Sequence, residues 1–287
     1  MATQTRRSTE QPLNLVLRPR SDAEAAYRSA VLAPGFEPAP GLDLQFLGGR
    51  TLPELAYRLV YLEGWPPGER ASLDRALAAA MADPGLNEIL AQYFPGQAVT
   101  ASFAGSTVQP GAVPDRVDKR FVESLVSRLG PVPDGEVVCV VLAPGVVLVE
   151  KAGVTSETGL GGYHGSVHAR RTTTYYSVAV YSEGGNGIVA FDEPWKNVCA
   201  TLYHELQEAR TDPDVEDAIR AGHTTKAMRY LGWYAPHAGE IGDIPIVESH
   251  GDIRLAMKEV RLADGSTAPV QLMWSNRVGG PEAPAAS

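Results

Sequence analysis

The chain is poor in cysteine, with two among 287 residues, and that scarcity removes two classes of explanation. Cys139 and Cys199 cannot build a disulfide framework or a cysteine-rich metal site, so both read as buried free thiols. Long apolar runs are lacking too. Nothing approaches the roughly 20 residues needed to span a bilayer, and the arginines in MATQTRRSTEQPLNLVLRPR are followed by no apolar run of signal-peptide length. The expectation is a cytoplasmic protein, with leaderless export left open. Positive charge is in deficit as well: 25 Lys and Arg stand against 34 Asp and Glu, a formal net charge of −9. That balance sets nucleic acid and anionic membranes aside as main partners.

What is present is the composition of an ordinary globular protein, long enough for one large domain or two smaller ones. Residues 1–40 are polar and rich in Pro and Ala, and read as an extended or disordered arm. From Thr51 to Tyr93 the spacing of Leu55, Leu59 and Leu62, of Leu73, Leu77 and Met81, and of Leu86, Ile89 and Leu90 predicts three helices. GSTVQPGAVP at 105–114 reads as a linker, and Arg120 to Leu129 as an amphipathic helix. After Pro131 the character turns to β, with GEVVCVVLAPGVVLVE forming a hairpin or tight connection around Pro144. Thr172 to Tyr181 is a further strand. Ile253 to Leu262 and Ala268 to Trp274 read as a second hairpin, and the tail VGGPEAPAAS as disordered. The expected fold class is α+β: a disordered arm (1–40), a helical region (41–115), and a domain (116–287) with a mixed sheet and a helix that carries the site.

That helix begins near Asp192-Glu193-Pro194 and ends at Thr211-Asp212-Pro213. It places Trp195, Val198, Leu202, Leu206 and Ala209 on one face and the His204-Glu205-Leu206-Gln207-Glu208 segment's polar groups on the other. Residues four apart on a helix have Cβ atoms roughly 5 to 6 Å apart, so His204 and Glu208 can grip one zinc-type ion. Glu205 is rotated away from that pair. In the related H-E-x-x-H pattern the offset puts the glutamate beside a water on the metal, as general base. The plainer alternative is a solvated polar face with Arg210 closing ion pairs.

A catalytic zinc usually takes three protein ligands. Asp212 is near in sequence, but from 204 to 212 a helix climbs about 12 Å. Glu240, in the glycine-flanked segment GWYAPHAGEIGD, is the preferred third ligand. Asp243 and Asp212 are then hydrogen-bond partners of the ligands or substitutes for them. In GGYHGSVH, glycines bring Tyr163 or His164 close to another element, where His164 could ligate a metal or donate to a developing oxyanion. Tyr163, Trp233 and Tyr234 could line a substrate groove, although packing is the commoner fate of aromatics.

Four motifs in order, GGYHGS (161–166), HELQEARTDP (204–213), GWY with GEIGD (232–243) and VQLMWSN (270–276), resemble the signature of bacterial proteins related to the plant phosphate-induced, or exordium, family. The resemblance implies a zincin-like fold, with His204, Glu205 and Glu208 as the metal and base set, Asp212, Glu240 and Asp243 as associated acids, and a part for His164. Gly161 and Ile244 stand where these relatives often carry cysteine, in keeping with a reducing compartment. The expected function is a zinc metallopeptidase, one Zn2+ per chain, acting on a peptide or protein substrate. The alternative is a non-catalytic binding or signalling protein of the exordium type, in which the acids hold a structural metal such as Ca2+.

Overall fold

A computed structural model describes residues 30–130, 132–151, 153–169, 172–222 and 225–284. The first 29 positions of the expected arm lie outside the described residues. The elements that matter here are, in chain order, β1 (Glu54–Leu62), α1 (Pro67–Ala82), α2 (Pro84–Ala91), β2 (Thr100–Gln109), α3 (Lys119–Arg128), β3 (Glu136–Val141), β4 (Gly162–Ala169), β5 (Thr172–Ala179), α4 (Pro194–Thr211), α5 (Val215–Ala221), α6 (Asp243–Glu248), β6 (Met257–Arg261) and β7 (Thr267–Gln271).

Five strands form one mixed sheet in the order β2-β1-β3-β5-β4. The first three pairings are parallel, and β4 closes one edge antiparallel to β5. The central strand EVVCVV is buried throughout, as a parallel strand covered on both faces must be. Strands β1 and β2 come from before position 115 and β3 to β5 from after it, so a single sheet draws on both sides of the expected boundary. With helices and sheet mixed along the chain, the fold is α+β.

Three sequence expectations need correction. Leu55, Leu59 and Leu62 lie on strand β1, not on a helix. A spacing of four satisfies both periods, and the buried set Leu55, Tyr57, Leu59 and Tyr61 follows the alternation of a strand. The first half of the stretch read as a linker, 105–109, belongs to β2. Its Gly105 has φ 104° and sits at a bulge, where Tyr57 pairs with Phe103 but Leu59 pairs with Ser106. The tail is ordered as far as residue 284, and 285–287 lie outside the described residues. Gly280–Ala283 pairs antiparallel with Val31–Leu32 and with Trp274–Ser275, which ties the two ends of the described chain together.

The helices expected at Leu73–Met81, Leu86–Leu90 and 120–129 are present as α1, α2 and α3, and β6–β7 is the C-terminal hairpin. Ala143-Pro144-Gly145 makes a tight connection and not a hairpin, because the strand after it, Val147–Lys151, pairs elsewhere. Among the described residues no helix is long and apolar enough to cross a membrane. Cys139 and Cys199 are free and buried, and burial pushes the Cys139 thiol up to about 12, which keeps it inert at neutral pH.

Helix α4 lies across one sheet face. The register places Leu59, Cys139, Ser177 and His164 in one row running to the edge strand, and His164 meets Glu205 on α4 from the end of that row. Arg210, expected among surface ion pairs, is fully buried and turned away from the site. It donates to Asn87 Oδ1 at 3.0 Å and to the Thr100 carbonyl at 3.2 Å, fastening the end of α4 to α2 and β2. Asn197 holds the other end: its side chain accepts from the Ala190 and Phe191 amides and donates to the Ser182 carbonyl.

Candidate metal centre

One turn of α4 stacks His204 over Glu208, and the imidazole Nε2 stands 3.0 Å from Glu208 Oε2. Glu205 Oε1 and Asp243 Oδ1 each lie 3.9 Å from the same Nε2. From the edge strand, His164 Nδ1 lies 3.4 Å from Glu205 Oε2 and 3.6 Å from Glu208 Oε2, while its Nε2 lies 3.5 Å from Glu240 Oε1. His204, Glu205 and Glu208 are exposed by 7%, 3% and 3%, which rules out a solvated polar face. Ionisable groups this deep in a protein are paired, protonated or bound to a metal.

Glycines make the approach possible. A Cβ on Gly162, the first residue of β4, would run into the Val178 carbonyl and stand 2.9 Å from Glu205 Oε1. A Cβ on Gly242 would overlap the His204 ring and stand 2.9 Å from Glu208 Oε1. Without that Cβ, the Gly242 and Asp243 amides both donate to Glu208 Oε1, at 3.2 and 3.1 Å.

Gln271, at the end of β7, decides which nitrogen of His204 is free. Its side-chain nitrogen donates to the Gly242 carbonyl at 2.5 Å, so its oxygen must face His204 Nδ1, 2.8 Å away. Nδ1 therefore carries hydrogen, and Nε2, which shares a proton with Glu208 Oε2 3.0 Å away, is the nitrogen a metal would take by displacing that proton. His164 is held from both sides, its Nδ1 facing Glu205 Oε2 at 3.4 Å and its Nε2 facing the Asp212 carbonyl at 3.1 Å and Glu240 Oε1 at 3.5 Å. Removing the partner that orients a ligating imidazole typically costs about 10- to 100-fold in metal affinity. Gln271→Leu is accordingly expected to weaken zinc binding by that factor with the secondary structure intact. A competition titration against a chromophoric chelator measures it, and an unchanged affinity would take Gln271 out of this part.

No family model matches the chain, nor does any curated protein or solved structure.

The electrostatics suit a cation. Burial lowers the pKa of both histidines, but the carboxylates around them outweigh it. The hydrogen bond to Glu205 and the charges of Glu208 and Glu205 raise His164 to about 9. Glu208, by charge and hydrogen bond, with Glu205 and Asp243, raises His204 to about 10. Burial raises Glu205, only partly offset by the two histidines. Glu208 is also penalised by burial, yet the pull of His204 and His164 and the Gly242 amide leaves it below the ordinary value. Glu240 is pushed well above the ordinary range, by burial first and by Glu208 and Asp212 next. The ion pairs of these acids are with histidine, and no lysine or arginine pair is formed with them among the described residues.

The acids do not all fall where the sequence put them. Glu240, expected beside His204, stands beside His164. It is Asp243, about half exposed at 53%, that joins His204 and Glu208. Between the two acids in the chain lies Gly242, whose backbone packs against the His204 ring. Asp212 stays off His204, as the helix rise requires, and takes part through its carbonyl to His164 and through Oδ1, which accepts from the Gly232 amide at 3.0 Å.

The aromatics divide. Tyr163 points to the opposite sheet face and meets Tyr176 edge-on at 6.0 Å, so it lines no groove with His164. Trp233 packs between Phe46 and Tyr93. Tyr234 does lie by the site: burial, then the charges of Glu240, Asp243 and Asp212, raise its pKa. A cleft of about 220 Å³ opens beside His204 and Glu205, with apolar walls from Leu160, Ile188, Ile246 and Met257. Sequence reasoning assigned no part to Gln271 or to Thr201, whose buried hydroxyl at this cleft has no hydrogen-bond partner.

Two buried carboxylate oxygens, Glu240 Oε1 and Asp212 Oδ2, also lack hydrogen-bond partners. Orphaned acceptors of this kind, next to imidazole nitrogen and further carboxylate oxygen, fit a zinc-type or harder divalent cation.

Proposed function

We propose that this chain is a metal-dependent hydrolase of peptide or amide bonds, built on a zincin-like domain, with Glu205 as its general base. The observation that carries the reading is the convergence of Glu208 Oε2, Glu205 Oε1 and the half-exposed Asp243 Oδ1 on the buried His204 Nε2, each within 4 Å of it. Support also comes from the order of elements, a strand, a loop, then a helix with H-E-x-x-E in its C-terminal half.

His204, Glu208 and Asp243 would hold the ion, and an ion there would polarise the scissile carbonyl and acidify water. Glu205 accepts the proton of the attacking water at a carboxylate oxygen. As the water oxygen bonds to the carbonyl carbon and the C–N bond breaks, the same carboxyl returns that proton to the leaving nitrogen. His164, 3.4 Å from Glu205 Oε2, holds that carboxylate in place. The apolar walls of the cleft would seat an aliphatic side chain of the substrate and exclude bulk water.

Elemental analysis of the purified protein, paired with hydrolysis of a peptide library before and after chelation, tests this. Bound zinc-type metal and chelator-sensitive cleavage are expected, and His204→Ala should lose both. Metal without any cleavage would replace the hydrolase with an ion-stabilised binding protein, and absence of metal would end both readings.

A further inference from the structure

The site holds more acid than one catalytic ion uses. A single zinc takes three protein ligands and a water, whereas Glu205, Glu208, Glu240, Asp212 and Asp243 gather around two histidines. Among the described residues, two groups at this site offer donor atoms that lie within 4.8 Å of one another: His204, Glu208 and Asp243, and His164, Glu208 and Glu240. Each group contains one imidazole, and neither contains both. An ion about 2.0 to 2.1 Å from each histidine nitrogen it binds cannot serve two histidines that do not converge. Glu208 is the one member common to the two groups.

We propose that the centre is binuclear, with Glu208 as the bridging carboxylate: one divalent cation on His204 and Asp243, a second on His164 and Glu240. Glu208 reaches both imidazoles through one oxygen, Oε2, at 3.0 Å from His204 Nε2 and 3.6 Å from His164 Nδ1, and Glu240 Oε1 stands 3.5 Å from the other nitrogen of His164, Nε2. Its other oxygen is occupied by the Gly242 and Asp243 amides. That arrangement holds the bridge rigid.

The second half of the centre has its own, independent mark. Glu240 is 8% exposed and Asp212 not at all, yet Glu240 Oε1 and Asp212 Oδ2 have no hydrogen-bond partner. A buried carboxylate oxygen without a donor is costly. A cation between Glu240 and His164 satisfies the first of these and neutralises the field on the second. Carboxylate-rich pairs of ions, commonly about 3.5 to 4 Å apart, clamp both the attacking and the departing atoms of a displacement. The acid content favours a harder ion such as Mn2+ at the His164 position, with the zinc-type ion at His204.

The inference rests on the ion-binding half of the proposed function, and metal stoichiometry separates the two. Full-length protein is stripped with chelator, reloaded with Mn2+ or Zn2+ and desalted, and its metal is counted per chain. Two ions are expected, with a spin-coupled pair in the electron paramagnetic resonance spectrum of the Mn2+ form. Glu240→Gln, nearly the same in shape, should drop the count to one and abolish the coupling while the His204 ion stays. One ion in the unaltered protein, or two uncoupled ones, overturns the binuclear centre and leaves the hydrolase standing. No ion at all overturns both. If Glu240→Gln does not fold, the count and spectrum of the unaltered chain decide alone.

Discussion

Glu205→Gln is expected to lower turnover by about 10²- to 10⁴-fold, the contribution of a positioned general base, while metal content stays that of the unaltered protein. The amide keeps the size of the carboxylate and loses its ability to take a proton. Glu205 belongs to neither converging group of ligands, so the ions should remain, and the His164 contact at 3.4 Å can be kept by the amide oxygen. The fall should appear in kcat, with KM little changed, because the proton is transferred only as the bond breaks. Glu208→Gln differs in kind: it removes the charge common to both groups, and should take metal and activity together. Turnover by Glu205→Gln within tenfold of normal, at full metal content, would mean another group moves the proton.

The helix that carries the His204–Glu208 cluster was legible because everything that defines it is local. Proline at its start, Asp-Pro at its end and an apolar stripe between them predict a helix from near Asp192-Glu193-Pro194 to Thr211-Asp212-Pro213, and the helix runs Pro194–Thr211. The stacking of His204 over Glu208 follows from helix geometry alone. What surrounds the helix was not local. Gln271 lies 67 positions along the chain from His204, and nothing in its immediate sequence says that its amide will face an imidazole. Glu240 and Asp243 were found as acids near glycine, but their division between two histidines depends on how closely Gly242 packs against His204. The strand misread as a helix, β1, shows the same limit. The spacing of Leu55 and Leu59 satisfies two periods, Leu62 adds a helical one, and only pairing with β2 and β3 selects the strand. The strand at Gly280–Ala283 is held by partners near residues 31 and 274, which no local propensity reveals.

Stripped of metal, the protein should lose thermal stability steadily as pH rises from about 6 to 10, and adding zinc should restore it most at the alkaline end. The sign follows from four groups. His164 and His204 have folded values of about 9 and 10 against an ordinary 6.5. Asp212 is raised from 3.8 to about 7, by burial first, and Glu240 is raised well above 4.5. All four hold protons more tightly when folded than when unfolded. Their stabilisation is complete below the unfolded values, and is lost as pH climbs through the folded ones. Asp212 gives up its share between about pH 4 and 7, Glu240 its share upward from its ordinary value, and the histidines theirs from about 6.5 to 10. Glu208, lowered by the histidines, works the other way and only at acid pH. A divalent cation competes with these same protons, so its affinity grows over the window in which the stripped protein weakens. At an ion concentration about a hundred times its Kd the gain is about 2.7 kcal/mol, equivalent to about 4 to 5 °C in Tm for a chain of this size. Melting curves of stripped and reloaded protein should therefore diverge with rising pH. Curves that run parallel from pH 6 to 9 would show that these protons and the ion do not share a site, and would separate the His–carboxylate cluster from metal binding altogether.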